Sequence, residues 1–89
     1  MLQWIRALCR WLVGPPQVFY VMVRAEGQLY AMARQEGWSE EAVEAAVQQQ
    51  WQQSFGESAT VVAFLPFQAP PELIMASRYA EQHQLVVRL

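Results

Sequence analysis

The sequence predicts an α/β or α+β fold: one small domain with a sheet of three to four strands covered by helices, and an amphipathic helix in front of it. Three observations predict this. The 89 residues suffice for a single hydrophobic core and no more. Three runs rich in β-branched and aromatic residues, "QVFYVMV" (17–23), "ATVVAFLPF" (59–67) and "LVVRL" (85–89), have strand composition. The stretches between them carry helical periodicity. Continuous apolar strands alternating with helices favour layers joined by right-handed crossovers.

The chain opens with "MLQWIRALCRWLV" (1–13). Wound as a helix, Gln3, Arg6, Ala7 and Arg10 gather on one narrow side. Leu2, Trp4, Ile5, Leu8, Cys9, Trp11, Leu12 and Val13 spread over more than half the circumference. That apolar arc is wider than packing on a sheet requires, so its edge is expected to bind a protein partner through Trp4, Leu8 and Trp11. Insertion at a membrane surface, with the arginines toward anionic head groups, is the alternative use of the same arc. Gly14-Pro15-Pro16 stops the helix, because proline lacks the amide proton and disfavours helical backbone before it. The chain thus divides into a leading helix at 1–13 and a compact body at 17–89.

The run at 17–23 is apolar on both faces and predicts a central strand covered on each side. Residues 27–36, "GQLYAMARQE", hold strong helix formers, with Leu29, Met32, Ala33 and Glu36 at helical spacing, and predict a helix. The competing reading makes "AEGQ" a hairpin turn and returns the chain as a strand, which would move the class to α+β. A helix over 39–55 is well specified. Gly37 stops what precedes it, Ser39 is its N-cap, Glu40 and Glu41 occupy its positively polarised first turn, and Trp38 and Val43 are placed for a hydrophobic staple. Val43, Val47, Trp51 and Phe55 recur every four residues as its core stripe, and Gly56 ends it. "PFQAPP" (66–71) is a stiff connection into a last helix from Pro71 and Glu72, whose predicted inner face is Leu73, Ala76, Tyr79, Ala80 and His83.

Composition restricts function by exclusion. Charged residues are 16% of the chain against about 25% in an ordinary domain, and 54% are hydrophobic. A small monomer hides that surplus with difficulty, so a protein partner or a homo-oligomer is expected. Arg6, Arg10 and Arg24 give residues 1–25 a charge of +3, and three Arg against eight Glu leave −5 beyond. An acidic body disfavours nucleic acid. A lone Cys9 cannot form an internal disulfide, no secretory signal or membrane span is apparent, and an intracellular, cytoplasmic setting follows, membrane-associated if residues 1–13 bind lipid.

The chemical inventory is sparse. His83 stands alone, Cys9 lies in an apolar setting that keeps a thiol inert, and Glu40, Glu41 and Glu44 match a helix N-terminus on a solvated face. Neither a phosphate-binding glycine loop nor a metal-ligand spacing occurs. The sequence therefore predicts no catalytic residue, cofactor or metal, and a non-enzymatic interaction module acting as an accessory subunit or regulator of a larger protein.

Overall fold

A computed structural model describes residues 14–89. The body is α+β, with strands β1 (Gln17–Ala25), β2 (Gln28–Ala31) and β3 (Gln35–Gly37), helix α1 (Glu40–Phe55), strand β4 (Thr60–Phe64), helix α2 (Pro71–His83) and strand β5 (Val87–Arg88). Every strand pairing is antiparallel. The expected parallel layers are thereby corrected, and the cause is local: β1 turns straight back on itself.

That turn is two residues long, with Ala25 paired to Gln28, and both central residues have positive φ, 50° at Glu26 and 77° at Gly27. This is a type I′ turn, whose twist matches that of the strands it joins. The helix predicted over 27–36 is therefore two short strands, β2 and β3, on one side of β1. Register changes between them: from Met22 to Phe19 is three steps along β1, while their partners Ala31 and Gln35 lie four apart. One extra residue sits in 32–34, a β-bulge.

β1 is central, as its two-sided apolar run implies. β4 flanks it on one side, β2 and β3 on the other, and β5 extends the sheet beyond β2. Odd-numbered residues of β1 face α1: Phe19, Val21, Val23 and Ala25 are buried with Val43, Val47, Trp51, Val61 and Ala63. Even-numbered residues face α2, where Tyr20, Ala31 and Leu73 form a second, smaller cluster with Met22, Phe64 and Ile74 packed against it.

Both helices begin and end as their caps dictate. The Ser39 hydroxyl accepts the Ala42 N–H at 3.1 Å, and Gly56 closes α1 in the left-handed conformation at φ 69°. Val43, Val47 and Trp51 are buried as the stripe predicts, whereas Phe55, at the last turn, is exposed. Pro71 starts α2, and Gln84 caps it with left-handed backbone at φ 54°. The inner face of α2 differs from its expected one. Leu73, Ser77 and Ala80 are buried, and Tyr79 and His83 are exposed and stacked on each other with ring centroids 4.1 Å apart.

Candidate functional site

Two kinds of surface on the body are suited to binding: one end of the sheet, and the edge strands β4 and β5. The end is the one from which β1 starts. Gly14 lies there with left-handed backbone at φ 82°, and its carbonyl accepts the Trp38 indole N–H at 3.0 Å. Trp38 follows β3, whose Gly37 pairs with Gln17, so the bond ties the entry of the chain to the start of α1. β4 also ends here, Phe64 opposite Tyr20, and the proline-flanked loop beyond it carries Phe67. Trp38 is 51% exposed and Phe67 80%. Two large aromatic surfaces therefore sit at the end of the body where residue 13 joins it.

Trp4, Leu8 and Trp11, the partner-binding residues expected from sequence, lie outside the described residues, as do Cys9 and the predicted leading helix. Trp38 and Phe67 were not foreseen in this role. The signal for Phe67 was its place between Pro66 and Pro70, where a stiff loop holds an aromatic away from the core. Trp38 has the sequence position of a staple residue, and only its indole bond to Gly14, 24 residues away, shows how it is held.

The edges differ in chemistry. Two backbone groups along the outer side of β4 are bonded by side chains of α1, one within the strand and one just before it. Glu44 accepts the Ala63 N–H at 3.0 Å, and Gln48, one turn on, donates to the Ala59 carbonyl at 3.0 Å. Glu44, expected on a solvated face, is thus a seal on a strand edge. β5 has no such cover: among the described residues no side chain bonds to its backbone, and Leu85, Val86 and Leu89 around it are 46, 36 and 42% exposed.

Two carboxyl groups come together on the body. At the hairpin, Glu57 holds the Glu26 carboxyl above its ordinary range, through a hydrogen bond between the two side chains and through like-charge repulsion. Glu57 also accepts the Trp51 indole N–H at 3.3 Å. Beside the pair, Arg24, Gly27, Ser58, Ala59 and Thr60 line an open depression of about 380 Å³, too shallow to exclude water. Among the described residues, no three His, Cys, Asp or Glu side chains come together as metal ligands, and no helix is long and apolar enough to cross a membrane. Comparison with protein-family models, curated proteins and solved structures found no match for the chain.

Proposed function

We propose that this chain is a small non-enzymatic interaction module, an accessory subunit or regulator that docks on a larger intracellular protein through residues 1–13, with Trp4, Leu8 and Trp11 as the anchors. The observation that carries the reading is the Trp38–Gly14 bond, which holds an exposed tryptophan where residue 13 joins the body. Phe67, also solvent-facing, lies at the same end of the sheet beyond β4, and exposed aromatics of this kind can supply the hot spots of protein interfaces. The reading needs no catalytic group, cofactor or metal.

The test compares the tagged chain, expressed in its native cell, with its Trp4→Ala/Leu8→Ala/Trp11→Ala variant. A stoichiometric protein partner is expected to co-purify with the first and not the second, while both give the same melting curve for the body. Loss of folding in the variant would make residues 1–13 part of the core. Pelleting of the purified chain with anionic liposomes, abolished in the variant, would make the segment a membrane anchor.

A further inference from the structure

The β4 and β5 edges of the sheet are unequal, and the β5 edge is complementary to itself. Leu89 donates its N–H to the Leu29 carbonyl at 2.8 Å, and Ala31 pairs with Val87. In an antiparallel ladder the backbone groups of alternate residues turn the same way, so Val87 and Leu89 bond to β2, and those of Val86 and Arg88 turn outward. The outward pairs are symmetric about Val87. A second β5 laid antiparallel with Val87 opposite its own copy sets Val86 against Arg88 of the second copy, and Arg88 against its Val86, with each outward N–H facing a carbonyl.

We propose that the β5 edge pairs with a second copy of this chain in that register, about a two-fold axis through Val87, joining the two sheets into one. Three features support a second copy as the occupant. On the β4 edge Glu44 accepts the Ala63 N–H and Gln48 donates to the carbonyl of Ala59 just before the strand, so α1 hinders pairing there as no side chain among the described residues does at β5. The register places no charge opposite a like charge, since Arg88 faces Val86. It also keeps the α2 faces of both sheets on the same side, where Val87 and Leu89 continue the exposed Leu29 into one apolar strip across the axis. The edge is short and its contact falls below the roughly 1,200 Å² of a standard interface, so the dimer is weak and concentration-dependent. The pairing calls on none of residues 1–13.

Sedimentation equilibrium on the full chain, over protein concentrations from about 10 μM to 1 mM, tests it. The unmodified chain is expected to show a monomer–dimer equilibrium. Val86→Glu, which places a carboxylate opposite Arg88 of the second copy twice per dimer, should tighten it severalfold, and Val86→Arg should weaken it about tenfold. Arg88→Pro removes an outward N–H without touching the bonds to β2 and should leave monomer. A chain that is monomeric throughout overturns the proposal. So does a shift of the two Val86 variants in the same direction, or a dimer that survives Arg88→Pro and is lost in Trp4→Ala/Leu8→Ala/Trp11→Ala, which would put self-association in residues 1–13. If Arg88→Pro melts early, the opposed Val86 variants decide alone.

Discussion

The Ser77 hydroxyl donates to the Met32 carbonyl at 2.9 Å, joining the inner face of α2 to the bulge between β2 and β3. Ser77 is completely buried, and a bulge leaves backbone groups without ladder partners. The bond supplies one where water cannot reach. Close by, Arg34 in the same bulge pairs with Glu81 on α2 at 2.9 Å, an exposed contact that adds little by itself.

Ser77→Ala is expected to cost about 1–2 kcal/mol, because it strands a buried carbonyl as well as losing the bond. Arg34→Ala should cost less than Ser77→Ala. Urea midpoints with unchanged slopes would check both.

On the other face, Trp51 is buried beneath Tyr30, with ring centroids 5.3 Å apart, and tilts against Phe55 at 4.4 Å. Trp51→Ala should cost on the order of 3–5 kcal/mol, and Gln49→Ala, on the solvent side of the same helix, should be nearly silent. Equal denaturation midpoints for the two would refute the assigned face of α1.

Glu44→Ala should remove about 1–2 kcal/mol by leaving the Ala63 N–H without its acceptor. It should also open the β4 edge, so that soluble oligomers grow with concentration in light scattering. Glu44→Gln retains an acceptor oxygen and is expected to restore most of the stability.

Glu26 holds its proton to higher pH in the folded protein than in the unfolded chain, since Glu57 raises its carboxyl. Folding therefore takes up a proton in that interval, and this pair's contribution falls as pH rises through the raised value and is relieved on acidification. Glu57→Gln should flatten that part of the stability profile. Glu26→Asn should raise the melting temperature at neutral pH as well, because asparagine also accepts the left-handed backbone of a type I′ turn more readily. Thermal melts at a series of mildly acidic pH values would show both effects.

What the sequence disclosed and what it hid follow a physical division. α1 was legible because its cap, its stripe of Val43, Val47 and Trp51, and its terminal Gly56 are all local. β1 was legible as central because both of its faces are apolar. Residues 27–36 misled because Leu, Ala, Met and Gln are helix formers, while the long unpaired flank of β1 beyond a tight Glu-Gly turn demanded strand partners. The inner face of α2 was misjudged because Ser77 reads as polar until its acceptor, 45 residues away, is known. The edge seal by Glu44 and the Trp38–Gly14 bond depend on tertiary placement and leave no periodic trace. The body's aromatic end surface was hidden for the same reason, and the anchors assigned to residues 1–13 rest on their pattern alone.

The extra residue at 32–34 is absorbed between two registers and leaves the faces of β2 and β3 in step with β1. With it, Gly37 lies opposite Gln17 on the α1 face, where an added Cβ would collide with the Val43 side chain. Remove one residue from that stretch and the ladder runs on without its bulge: Ala31 stays opposite Met22, Gln35 opposite Phe19 and Gly37 opposite Gln17, on the face it already occupies. A link one residue shorter is therefore expected to keep Gly37 under Val43 and to lose what the bulge itself supplies, the Met32 carbonyl turned toward Ser77.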